Sequence, residues 1–164
     1  MRRAAAVLSA VAIALAGCAQ GHHEEQMGAT VSLSDQWASA ASGGMTSVFG
    51  TFANSGHHDA RIVSATSPVA GSVEMHEVVG DATGSKTMRP KEGGFVIPAG
   101  ASHDLVPGGD HLMLMDLNAP LRPGADVEVT VVFEDGSTLP VTAQVRDFAG
   151  GNENYQPDAP QDHG

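Results

Sequence analysis

Residues 127–145 constrain the fold more than any other stretch of the chain. Val127, Val129, Val131 and Phe133 recur at every second position, and Leu139, Val141, Ala143 and Val145 repeat the pattern. A period of two marks a strand with one buried face. Glu134, Asp135, Gly136 and Ser137 lie between the runs, and Asp-Gly between two alternating runs signals a hairpin.

The same grammar extends toward the N-terminus. Thr30, Val31, Ser32 and Leu33 lead to Trp37, the single tryptophan, which is expected to cover one end of the core. Thr46, Val48, Gly50 and Phe52 alternate with Ser47, Phe49 and Thr51; apolar residues on both faces predict a central strand. A turn over 54–59 follows by composition, then strands over 61–65 and 73–79, split by Ser67-Pro68 and Ala70-Gly71. Phe95, Val96 and Ile97 form a short strand closed by Pro98, Ala99 and Gly100. There is no amphipathic helix and no internal repeat, so a solenoid or propeller is excluded. Short strands with Pro and Gly between them predict a two-sheet antiparallel sandwich or small barrel over 29–146. Aromatic residues are only 4% of the chain, so Val, Leu, Ile, Ala and Met must build its core.

The N-terminus reads as an address. Met1, Arg2 and Arg3 precede an apolar stretch over 4–15, too short to span a bilayer as a helix. Residues 1–17 are predicted to be a signal peptide, and Leu15, Ala16, Gly17 and Cys18 resemble the lipobox of bacterial lipoproteins. Cleavage after Ala14-Leu15-Ala16 is the competing reading. Lipidation is preferred, because a lone exposed thiol in an oxidising compartment is a liability. Residues 18–28 then form a lipid-anchored tether, and 147–164 a disordered tail. The protein is expected outside the cytoplasmic membrane, held by its lipid alone, as a monomer. With one cysteine, neither an internal disulfide nor a thiolate-rich metal site can form. Losing Arg2 and Arg3 changes the formal charge from −11 to −13 (6 basic against 19 acidic residues), which disfavours nucleic acid as a partner.

Chemistry concentrates in the run 111–115. As a strand it places His111, Met113 and Met115 on one face, with Leu112 and Leu114 on the other. Imidazole and thioether together suit a soft or borderline metal, copper above all. Methionine is more often packing than ligand, so on this run alone the preferred reading is Met113 and Met115 as core filling and His111 as a strand-end surface residue. His76 shares a strand face with Glu74 and Val78, while Met75 points the other way toward the core. Met88 lies in a polar segment that gives little reason to bury a thioether. His57 and His58 are assigned to a solvated turn, His103 to a loop and Met115 to packing. His22, His23, Met27, Met45 and His163 are only weak candidates for additional copper. No Ser-His-Asp order, phosphate loop or paired-acid constellation is present, so the chain is not read as an enzyme and no catalytic residue is assigned.

His76, Met88, His111 and Met113 resemble the metal site of the periplasmic copper chaperones called PCuAC, whose motif is written H(M)-x10-M-x21-H-x-M. Here Glu77 stands in the optional Met position, and the second gap holds 22 residues. The likeness extends through Trp37, Asn54-Ser55-Gly56, 73–77, 97–100 and 107–114, and covers roughly 29–145. It implies a cupredoxin-like antiparallel β-sandwich of Greek-key type, with His76, Met88, His111 and Met113 binding Cu(I) near the surface. It also implies delivery to cytochrome c oxidase assembly, so that an oxidase subunit or assembly factor is the acceptor. Beside it, two imidazoles and two thioethers form a soft, neutral set that Cu(I) accepts, whereas zinc prefers thiolate, imidazole or carboxylate. The alternatives are a copper-sequestering or tolerance lipoprotein, and a metal-free surface lipoprotein used for protein contacts. A redox carrier on this fold would need a Cys ligand.

Overall fold

The computed structural model describes residues 25–80, 82, 84–149 and 154–155. The signal segment, Cys18, His22, His23 and His163 lie outside them. The chain is all-β apart from one turn of helix, α1 (Met27–Thr30). Its strands are β1 (Val31–Ser39), β2 (Thr46–Asn54), β3 (Ala60–Thr66), β4 (Ala70–Gly80), β5 (Lys86–Pro90), β6 (Phe95–Ile97), β7 (Ser102–Leu105), β8 (His111–Leu117), β9 (Asp126–Phe133), β10 (Thr138–Arg146) and β11 (Asn154–Tyr155).

Seven strands close into a ring in the order β4, β8, β2, β1, β10, β9, β3, and β3 returns to β4 through Ala65 and Val73. The ladder is therefore a closed barrel, and closure leaves this ring with no free edge. It is not wholly antiparallel: β1 runs parallel to β10, pairing Trp37 with Gln144 and Ala38 with Val145. The β9–β10 hairpin forms as the sequence predicts, with Val131 opposite Leu139 and Val129 opposite Val141. Gly136 supplies the left-handed conformation that its turn needs (φ 79°).

Val127, Val129, Val131, Phe133, Ala143 and Val145 enter the barrel with Val48, Phe52, Ile62, Phe95, Ile97, Leu112 and Leu114. Aliphatic side chains dominate this core, as the scarcity of aromatic residues requires. Buried Asn54 braces the following turn: its Nδ2 donates to the carbonyls of His58 (2.8 Å) and Ile97 (3.0 Å), and its Oδ1 accepts from Gly56 N.

Three expectations need correction. Trp37 does not cover the core. Leu33 packs against the core, but β1 carries a register shift between Ser34 and Trp37, with Asp35 at φ 53°. The extra residue reverses the alternation, so Ala38 faces inward and Trp37 outward against Phe49. The segment around Met88 and the loop assigned to His103 are strands β5 and β7. Finally, the packed structure runs past both expected boundaries. Met27 N and Gly28 N donate to Asp135 Oδ2 and Ser137 Oγ, each at 2.8 Å, docking the start of the chain on the β9–β10 turn. Beyond β10, Phe148 packs on Trp37 and β11 pairs in parallel with β5.

Candidate metal site

On β8 the alternation divides two environments. Leu112 and Leu114 enter the barrel core, and His111 and Met113 face outward. Outward residues of a barrel are normally wet, yet His111 is 3% exposed and Met113 2%. On β4 the inward Val73 and Met75 pack against the core, while His76, of opposite parity, is fully buried outside it. Met88 on β5 is 7% exposed and also stands apart from the core. The molecule thus has a second, smaller buried patch on the outside of its barrel.

Strand register assembles this patch. His76 is the direct partner of His111, Glu74 of Met113, and Val78 of Met88. Directly opposed side chains start about 5 Å apart, and diagonal neighbours remain within reach of long side chains. His76 on the middle strand therefore has the other three candidates as direct or diagonal cross-strand neighbours, Met88 on β5 and His111 and Met113 on β8. The imidazoles of His76 and His111 meet edge to face, with centroids 5.5 Å apart and planes at 71°.

Hydrogen bonds hold the candidate donors in place. Glu74 Oε2 lies 2.8 Å from Nε2 of His76. The carbonyl of Gly109 lies 2.9 Å from Nδ1 of His111. Ser47 Oγ donates to the sulfur of Met113 at 3.8 Å. An aromatic group flanks the patch: Trp37 and Phe49 are 4.7 Å apart, Phe148 lies 5.2 Å from Trp37, and Phe49 lies 6.0 Å from His111.

A charged network borders the site. Glu77 accepts from Arg89 (3.0 Å) and Lys91 (3.1 Å), and Lys91 also reaches Asp110 (3.3 Å). The Lys91 hydrogen bond is the main reason that the Glu77 carboxyl is held below its ordinary range, with Arg89 adding to it against the effect of burial. Burial opposes the charge on Lys91, but Glu77 and Asp110 together raise its pKa. Asp110 also draws in His103, whose Nε2 is 3.0 Å away and whose ring lies against Phe95.

The remaining candidates separate from the patch. His57 and His58 are exposed, as expected of a turn. Met27 and Met75 pack against the core, and Met45 is exposed. Met115 is half-buried, on the face of β8 that carries His111 and Met113, and pairs with Ser72. Among the described residues, no three His, Cys, Asp or Glu side chains are gathered as a metal site. The sequence reading missed Ser47, Phe49 and Phe148 as parts of this region. The signal available for Phe148 was an aromatic residue just beyond a strand in an aromatic-poor chain.

The comparisons agree with this architecture. Residues 31–145 match the family model described as "Putative lipoprotein LpqE-like". The chain belongs to the LpqE-like lipoprotein family. A relative in Leifsonia xyli subsp. xyli, "Putative lipoprotein Lxx21020", is 43% identical over 93% of this chain and 94% of its own length. Among solved structures, this LpqE-like chain is similar to the copper-bound PCuAC domain from PmoF2 (TM-score 0.61, 23% identity, 77% of this chain and 99% of that one). It is also similar to Cu(I)-DR1885 from Deinococcus radiodurans (TM-score 0.53, 29% identity, 73% of this chain and 82% of that one). The all-β fold expected from the sequence is observed, as a closed seven-strand barrel that the PCuAC domain from PmoF2 matches.

Proposed function

We propose that this LpqE-like protein is an extracytoplasmic Cu(I) metallochaperone, with His76, Met88, His111 and Met113 as its ligands. The observation that carries the reading is the buried patch outside the core, where the register sets two imidazoles beside two thioethers. A soft, neutral donor set fits a d10 ion without strong geometric demand, and thioethers release copper more readily than thiolates would. The likeness to a PCuAC domain described as copper-bound and to a Cu(I) protein supports the same assignment. Copper is cargo here, and the protein is a carrier, not a catalyst. Transfer would proceed by ligand exchange, an acceptor's donors replacing the methionines one at a time. The acceptor proposed is a cytochrome c oxidase subunit or assembly factor, as the PCuAC resemblance implies.

Membership of a lipoprotein family supports the lipobox reading, with Cys18 lipidated and the domain anchored outside the cytoplasmic membrane. No helix among the described residues is long and apolar enough to cross a membrane.

The test is Cu(I) titration of the full-length protein against a chromophoric chelator, followed by transfer to an apo oxidase copper domain. One tightly held Cu(I), passed on faster than it dissociates to the chelator, is the expected result. No Cu(I) retained against the chelator would overturn the assignment; retention without transfer would favour sequestration.

A further inference from the structure

Two imidazoles face the same patch, but their hydrogen bonds engage different nitrogens. His76 meets the Glu74 carboxylate through Nε2, and His111 meets the Gly109 carbonyl through Nδ1. An ionised carboxylate and a backbone carbonyl can only accept, so the nitrogen facing each must carry the proton. In a neutral ring the lone pair then lies on the other nitrogen. For His76 that is Nδ1, for His111 it is Nε2, and both atoms are buried.

We propose that Glu74 is a positioning residue for the copper cargo: it fixes His76 in the tautomer that presents Nδ1, while the Gly109 carbonyl fixes His111 in the one that presents Nε2. The inference rests on the proposed copper site and deepens it by naming the donor atoms. Its physical basis is general. A metal-ligating histidine commonly donates its second N–H to a carboxylate or carbonyl, which sets the tautomer, orients the ring and raises the basicity of the ligand. Glu74 meets the geometric requirement without being a ligand itself. It is the cross-strand partner of Met113 and lies two residues before His76 on the same strand face, so one carboxylate borders two candidate ligands. Its side chain is 34% exposed, whereas that of His76 is fully buried, so the carboxylate sits at the rim of the patch. On β8 the equivalent task falls to the backbone. The turn before His111 places Gly108 at φ 78° and directs the Gly109 carbonyl back to the ring. The two histidines are thereby held from opposite ends of their rings.

The experiment is long-range proton–nitrogen NMR of the histidine rings in the full-length protein in detergent micelles, before and after one equivalent of Cu(I), for wild type, Glu74→Ala and Glu74→Gln. In the wild type the proton is expected on Nε2 of His76 and Nδ1 of His111, with copper perturbing Nδ1 of His76 and Nε2 of His111. Glu74→Ala should give mixed tautomers at His76 alone, and Cu(I) affinity about 10–100-fold weaker by chelator competition, the usual effect of losing an outer partner. Glu74→Gln, whose amide oxygen can still accept, should restore most of the single tautomer and the affinity. If Glu74→Ala keeps both the His76 tautomer and wild-type affinity, or if copper perturbs Nε2 of His76, the inference fails while the copper site stands. A wild-type protein that takes up no Cu(I) overturns the site and the inference together.

Discussion

His76 on β4 and His111 on β8 are direct cross-strand partners, their rings edge to face at 5.5 Å on the outside of a closed barrel. The pairing brings together residues that are 35 positions apart in the sequence (111 minus 76), and it fixes their separation by backbone hydrogen bonds instead of by loops. The register of β4 on β8 is set by its own ladder and not by the number of residues between Met88 and His111, a segment that includes β6 and β7. The spacing, one residue longer than in the PCuAC motif, is therefore compatible with the His76–His111 pairing.

Met113→Leu should separate packing from ligation. Met113 is buried, so removing its side chain altogether would open a cavity and blur the result. Leucine keeps the volume and loses the sulfur, at a cost below about 1.5 kcal/mol. Cu(I) affinity should fall by more than the roughly 10–100-fold typical of losing an outer-shell partner. Chelator competition and urea unfolding on the same sample measure the two quantities. Unchanged affinity would return Met113 to the role of packing.

The adjacent residue gives the opposite result. Leu112 is fully buried in the barrel core, so Leu112→Ala should destabilise the protein by about 2–5 kcal/mol. Cu(I) affinity of the folded fraction should change far less than in Met113→Leu. Equal effects of both substitutions on stability and on copper would show that β8 does not divide two environments.

These neighbours mark how far the sequence could be read. The alternation of β8, β9 and β10 was plain because one residue in two meets a dry interior, and that repeats at short range. The outward placement of Trp37 was not, because the bulge between Ser34 and Trp37 breaks the period without any apolar signature. Strand β5 was hidden by its polarity: Lys86, Thr87 and Arg89 surround Met88, and the strand is selected by pairing with β4. The four candidate ligands could be named from motif and face. Their burial could not, since it depends on register across β4, β5 and β8, and the Phe148 contact lies beyond the last periodic strand.

Cys18→Ser should release the protein from the membrane fraction while leaving Cu(I) affinity unchanged. The proposed anchor and the buried patch use separate parts of the chain, and the folded domain docks its own N-terminal end through Met27 and Gly28. Fractionation of cells expressing the variant, with copper competition on the released protein, checks both halves. Full retention at the membrane would mean that something other than a lipid on Cys18 holds the protein there.

Glu77→Gln should lower stability at neutral pH and lose that effect in acid. Lys91 and Arg89 depress the carboxyl of Glu77 in the folded protein, the Lys91 hydrogen bond foremost. In the unfolded chain the group returns to an ordinary value of about 4.3. Well above that value both states are ionised, and the full contribution of the network is present. As pH falls below it, the unfolded state takes up a proton first, and stability drops until the folded carboxyl is protonated too. The side chain is 25% exposed and Arg89 55%, so screening limits the contribution to about 1 kcal/mol. Urea unfolding of wild type and variant should therefore differ by about that amount at pH 7. The gap should narrow below about pH 4.3 and vanish beneath the folded pKa. A gap that persists unchanged into strong acid would show that Glu77 supports the β4–β5 pairing by its shape and neutral hydrogen bonding, not by its charge.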